Sequence, residues 1–130
     1  MKNDIEKIVE LALSEDIGQG DVTSGLIDNK IIEAEIVCRD NAVICGIEFF
    51  NLCFLSVDPN TKIHWNVEDG SRVRSGEIIC SLKGNTKTIV TAERAALNFL
   101  QILSATATQT NDLVSLISST NAKLLDTRKT

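Results

Sequence analysis

Histidine occurs once in this chain, at His64, and proline once, at Pro59. A lone histidine excludes a metal cage built from imidazoles. The four cysteines, Cys38, Cys45, Cys53 and Cys80, include no pair at C-x-x-C spacing. In apolar or alternating surroundings and without an export signal, they read as buried thiols, not as disulfides or zinc ligands. No apolar run approaches the ~20 residues that cross a bilayer. The start, Met1-Lys2-Asn3-Asp4-Ile5-Glu6, lacks the apolar stretch of a signal peptide. The expected compartment is the cytoplasm, with no membrane contact. Basic residues are a minority: 13 Lys and Arg against 18 Asp and Glu leave a net charge of −5, which argues against a nucleic-acid surface. No internal repeat, low-complexity tract or proline-rich linker divides the chain.

What is present is enough for one globular domain. The 130 residues are 43% hydrophobic and 24% charged, ordinary for a soluble chain. Ile5, Ile8, Val9 and Ala12 recur at helical spacing, with Asn3 or Asp4 placed to cap. Ile32, Ala34, Ile36 and Cys38 alternate with Glu33, Glu35, Val37 and Arg39 as in a half-buried strand. Ile47, Phe50, Phe54 and Val57 predict a short helix ended by Pro59. Alternation returns at Ile63, Trp65 and Val67, and again at Ile78, Cys80 and Leu82 after the turn residues Asp69-Gly70 and Ser75-Gly76. A long stripe, Ala92, Ala95, Ala96, Phe99, Leu100 and Leu103, predicts a helix. A second helix is expected through Leu113, Val114, Leu116 and Ile117, beyond the Ser104–Thr108 stretch. The fold class that accommodates this order is α+β: an antiparallel sheet with helices on one face, an open α/β sandwich.

Two segments carry chemistry. The last residues, Lys123-Leu124-Leu125-Asp126-Thr127-Arg128-Lys129-Thr130, are an apolar strand seed followed by an acid, a hydroxyl and two cations. In strand–helix barrels, reactive side chains sit just past the C-terminal ends of strands. The segment thus reads as the first strand of a truncated α/β barrel. The expected division is 1–119, the N-terminal sandwich with its connecting helices, and 120–130, the first barrel strand, the rest lying beyond. Arg94 is a second site of fixed positive charge, on an otherwise apolar helix. Taken alone, an arginine there can snorkel or pair with Glu93, and a terminal Arg-Lys pair is an ordinary solvated tail.

Four segments in order resolve that ambiguity. They are Glu15-Asp16-Ile17-Gly18-Gln19-Gly20-Asp21-Val22-Thr23-Ser24, Asp69-Gly70-Ser71-Arg72-Val73-Arg74-Ser75-Gly76 with Gly84, Glu93-Arg94-Ala95-Ala96-Leu97-Asn98-Phe99-Leu100-Gln101, and Asp126-Thr127-Arg128-Lys129-Thr130. Together they resemble the quinolinate phosphoribosyltransferases, also called nicotinate-nucleotide pyrophosphorylases (carboxylating), over the first half of such an enzyme. The resemblance implies transfer of a phosphoribosyl group from phosphoribosyl pyrophosphate to quinolinate. The products are nicotinate mononucleotide for NAD synthesis, pyrophosphate and carbon dioxide. It also implies Mg²⁺, with no ligand from these 130 residues, and a homodimer with shared active sites. Arg94 looks like the arginine that reaches the neighbouring subunit's quinolinate. Thr127, Arg128 and Lys129 look like the first substrate-binding group of the barrel, with Lys129 carried over as catalytic. A guanidinium fork suits a planar dicarboxylate, since it matches a carboxylate with two parallel hydrogen bonds.

Some features fit less specifically. Glu15, Asp16 and Asp21 lack the ligand spacing of a calcium loop and read as a turn after the first helix, with Gly18 and Gly20 supplying unusual backbone angles. Ala105 replaces the glycine usual in the family, so the corner between the two expected helices is set differently here. The run from Val67 to Ile78 also resembles a biotinyl or lipoyl carrier hairpin, with Lys83 and Lys87 as candidate attachment points. A non-catalytic dimerisation partner is a further reading.

Overall fold

The first helix starts where its cap is. The Asn3 side chain accepts the Glu6 N–H at 2.8 Å, and the Glu6 carboxylate accepts the Asn3 N–H at 3.0 Å, a reciprocal capping box. Helix α1 runs Asp4–Ile17 and buries Val9 and Leu13, with Ile5 and Ile17 packed beside them. The buried face therefore advances strictly by fours, and Ile8, expected on it, is exposed. Gly18 closes the helix at φ 59°. The computed structural model describes residues 3–18 and 28–127. The turn expected at Gly20 and Asp21 lies outside the described residues.

Strand β1 (Ile31–Val37) follows, then β2 (Ala42–Val43), helix α2 (Ile47–Val57), β3 (Lys62–Trp65), β4 (Arg72–Val73), β5 (Ile78–Asn85) and helix α3 (Thr86–Ile117). The main sheet is antiparallel in the order β1-β5-β3, and β2 pairs with β4 in a small second ladder. Register places Ala34, Leu82 and Ile63 in one inward row and Ile36, Cys80 and Trp65 in the next. The outward rows are polar: Glu33, Lys83 and Lys62, then Glu35, Ser81 and His64. This alternation is that of a sheet covered on one side. A bulge interrupts it where Ile36 faces Cys80 but Val37 faces Ile78. The extra residue on β5 is Ile79, which is buried, while Ile78, expected inward, is exposed. One inserted residue reverses the faces beyond it.

The core gathers around Phe50. Its ring meets Phe54 at 5.0 Å and stands edge-on to Trp65 at 5.0 Å, 78° between planes. The Trp65 indole N–H donates to Asn51 Oδ1 at 2.7 Å, so its one polar atom is satisfied. Phe49 packs on Phe99 at 5.1 Å and joins α2 to α3.

Sequence alone predicts two helices after β5, and the structure has one. Asn85 is both the last strand residue and the helix cap, accepting the Lys87 N–H. From there α3 continues unbroken for 32 residues, about 48 Å at 1.5 Å per residue. Two causes carry it unbroken through Ser104–Thr108. Ala105 and Ala107 are the best helix formers, and the hydroxyls on either side of them are engaged. The Cys45 N–H donates to Ser104 Oγ at 3.0 Å, and that hydroxyl donates to the Cys45 carbonyl at 3.1 Å. The Val43 N–H donates to Thr108 Oγ1 at 2.9 Å, and Thr108 donates to the Ser104 carbonyl at 2.7 Å. Arg72 adds a bond to Asn111 at 3.2 Å. Side chains of α3 thus complete the edge of the small ladder.

Gly46 sits where these parts converge. Its φ is 106°, and a Cβ there would lie 2.9 Å from Leu103 Cδ1. No side chain of its own caps α2, but Asp69 Oδ1 accepts the Gly46 and Ile47 N–H groups at 3.0 and 3.1 Å. Gly46→Ala is therefore expected to cost about 1–3 kcal/mol from backbone strain, with a further loss from the clash. Urea unfolding of the chain measures it. Elsewhere, Thr61 Oγ1 is buried without a hydrogen-bond partner. Thr61→Val keeps the shape and removes the orphan hydroxyl, so the urea midpoint should rise, by about 1 kcal/mol in stability.

Candidate active site and relatives

Arg94 stands in the third turn of α3, between the buried Ala92 and Ala95 but on the outer side. Its partner is not the adjacent Glu93. Arg94 Nη1 donates to Asp16 Oδ1 at 3.2 Å, and the two side chains are unequally placed: Arg94 is 77% exposed and Asp16 22%. Asp16 occupies the last turn of α1, which carries no basic residue of its own. An acid there faces the negative end of the helix dipole, worth about 0.3–1 kcal/mol against it. The compensating cation comes from another element, 78 positions along the chain. Sequence reasoning assigned Asp16 to a turn and missed this contact. The usable signal was an acid at the wrong end of a helix.

The other expected site residues lie beyond α3. The segment after Ile117 is irregular, and residues 121–127 form neither helix nor strand. A parallel strand holds its shape only against neighbours, and no described strand lies beside this one. Thr127 is exposed at its end; Arg128 and Lys129 lie outside the described residues. Helix geometry bears on whether Arg94 and Thr127 can meet within one chain. From Arg94 to Ile117 the helix axis covers about 35 Å. The segment from Ser118 to Thr127 spans at most about 35 Å even fully extended. The helix from Arg94 to Ile117 therefore lies between Arg94 and Thr127 along the chain.

A groove of about 760 Å³ opens between the end of β1 and α3, lined by Ile36, Cys38, Leu97, Leu100, Gln101 and Ser104 among others. Neither Arg94 nor Thr127 lines it. Among the described residues no three of His, Cys, Asp and Glu approach closely enough to hold a metal ion. No described helix is long and apolar enough to cross a membrane. The carrier reading fails on position. Lys83 lies mid-strand between Glu33 and Lys62, and Lys87 lies in the first turn of α3. Neither stands at the hairpin tip that a carrier's modified lysine requires.

A one-sided antiparallel sheet, backed by helices and presenting an arginine from the longest of them, defines an α+β module. Residues 21–104 match the family described as "Quinolinate phosphoribosyl transferase, N-terminal domain", and the chain belongs to that family. It is 38% identical over 130 residues to quinolinate phosphoribosyltransferase [decarboxylating] 2b, mitochondrial, of Nicotiana tabacum, covering 98% of this chain and 36% of that protein. It is 33% identical to the probable nicotinate-nucleotide pyrophosphorylase [carboxylating] of Bacillus subtilis, covering 97% of this chain and 44% of the relative. Among solved structures, the nicotinate-nucleotide pyrophosphorylase of Francisella tularensis superposes with a TM-score of 0.93 at 43% identity, covering 98% of this chain and 46% of that one. The chain thus spans less than half the length of these relatives.

Of the four cysteines read as buried, Cys53 and Cys80 are packing groups, whereas Cys38 and Cys45 are only half-buried. All four are free, and Cys53 and Cys80 are fully buried. Burial pushes Cys53 from 9.0 up to about 11 and Cys80 up to about 12. Burial and the neighbouring Asp69 carboxylate raise Cys45 as well. Thiols held protonated are poor nucleophiles. A raised folded value keeps stability intact below pH ~9 and loses it as pH climbs from there toward the folded values, because the unfolded chain releases protons first. Each thiol should then contribute a decline of about 1.4 kcal/mol per pH unit between pH 9 and 11. Urea midpoints across that range should fall more steeply for the native chain than for a Cys53→Ala, Cys80→Ala double variant.

Proposed function

We propose that this chain forms the N-terminal portion of a quinolinate phosphoribosyltransferase. The enzyme joins quinolinate to phosphoribosyl pyrophosphate and releases pyrophosphate and carbon dioxide, giving nicotinate mononucleotide for NAD synthesis. Family membership supports the reaction, and the unbroken α3 supports the arrangement of the site. Because α3 runs on past Arg94 to Ile117, we assign its guanidinium to the active site of a second subunit. The enzyme is then a homodimer with two shared sites, located in the cytoplasm.

In this reading Arg94 grips one quinolinate carboxylate through its planar fork. Arg128 and Lys129 hold the substrate from the other side, with the Thr127 hydroxyl as a hydrogen-bond donor and Lys129 nearest the chemistry. Departure of pyrophosphate builds positive character at the anomeric carbon, as in glycoside cleavage. Fixed cations that place the substrates and stabilise departing negative charge suffice, with no protein nucleophile. Mg²⁺ typically binds substrate phosphates and keeps several waters. The described residues supply no cluster for it, and it contributes charge neutralisation on the pyrophosphate when bound.

We also assign 120–130 to the first strand of a barrel domain, with 1–119 as the sandwich. The buried stripe of α3 ends at Ser104, while Leu113, Val114 and Leu116, and then Leu124 and Leu125, stay exposed. Apolar side chains at that spacing suit coverage by a further domain.

Subunit mixing tests the shared site in the full-length enzyme. Arg94→Ala and Lys129→Ala proteins are each expected to be silent, since removing one member of a desolvated charge pair costs ~3–5 kcal/mol. After subunit exchange, half the dimers are mixed, and each mixed dimer holds one intact site. Roughly a quarter of wild-type activity should return. No recovery from a mixture shown to have exchanged would refute the assignment.

A further inference from the structure

Arg94 does not stand on α3 unaided. The ion pair with Asp16 is asymmetric: the Asp16 side chain, on the exposed last turn of α1, is 22% accessible, against 77% for Arg94. The less exposed member contacts a single nitrogen, Nη1, of the more exposed one. We propose that Asp16 is a positioning residue for Arg94, anchoring one corner of the guanidinium so that the fork is aimed before quinolinate arrives. This rests on the assignment of Arg94 to quinolinate binding given above.

Three observations support the role. First, α1 offers Asp16 no local reason to be there, since its last turn has no basic residue and the helix dipole opposes an acid. Second, a pair this exposed on one side adds little to folding stability, so packing energy does not explain it either. Third, an arginine with many rotamers loses freedom when it grips a ligand, and a side chain already held loses less. The adjacent Glu93, in register with solvent on α3, is not the partner. Asp16 therefore acts on the substrate only through Arg94 and touches no reacting atom.

The test uses the full-length enzyme and four variants: Asp16→Asn, Asp16→Glu, Arg94→Lys and the Asp16→Asn, Arg94→Lys pair. Asp16→Asn should raise the KM for quinolinate about three- to tenfold, the range expected for freeing one long side chain. The KM for phosphoribosyl pyrophosphate, kcat and the melting temperature should stay near wild type. Asp16→Glu, which keeps the charge, should recover part of the loss. In the Arg94→Lys background, Asp16→Asn should add no more than a small further change, because the fork it aims is gone. An unchanged quinolinate KM in Asp16→Asn would overturn the positioning role. So would a fall in melting temperature with both KM values moving together, or full additivity with Arg94→Lys. If Arg94→Lys itself leaves the quinolinate KM unchanged, the assignment of Arg94 fails first and the role of Asp16 fails with it.

Discussion

Everything in this fold is arranged around the close crossing at Gly46. There the chain leaves the small ladder, turns at φ 106° and enters α2 directly against Leu103 of α3. No side chain fits at that contact, so the cap for α2 comes from Asp69 across the ladder. One residue earlier, Ser104 both accepts from and donates to the Cys45 backbone. Four hydrogen bonds within three residues hold α2, α3 and the ladder in one geometry. Buried polar groups left unpaired are costly, so these partners specify the crossing more sharply than apolar packing does.

That crossing also governs the long helix. Ser104 and Thr108 would ordinarily loosen a helix interior, since their hydroxyls compete for backbone groups. Here the hydroxyls are bound to the backbone of β2 and of Cys45 just after it, and the alanines beside them favour continuation. A helix that ran straight for 32 residues through an unsupported Ser/Thr stretch would be a weaker ruler. Because it is supported, Arg94 and the residues after the helix stand at opposite ends of a rigid rod.

Charge is distributed with the same division. Outward sheet rows carry mixed lysine and glutamate, with Lys83 within 3.9 Å of Glu33, an exposed pairing that contributes little. Arg94 differs because its partner is the less exposed member of the pair and comes from a distant element. The groove beside it is lined largely by aliphatic side chains and amides, and it shares Leu97 and Gln101, three and seven residues after Arg94, with the same helix face.

Much of this was legible in the residues themselves. Alternation along β1, the aromatic stripe of α2 and the alanine-rich face of α3 are local patterns, and local patterns follow from side-chain periodicity. The four ordered motifs identify the family, because order and spacing survive where single motifs are ambiguous. Other features depended on contacts that no window of sequence contains. The inward turn of Ile79 needed the bulge against Val37, and the unbroken α3 needed the backbone of Val43 and Cys45. The partner of Arg94 proved to be Asp16, not the neighbouring Glu93. Periodicity decides which face of an element is apolar, but a hydrogen bond between residues 59 or 78 apart exists only once packing has brought them together. By itself the sequence determined most of the elements and the family; tertiary structure decided the small ladder, the length of the last helix and what holds the arginine on it.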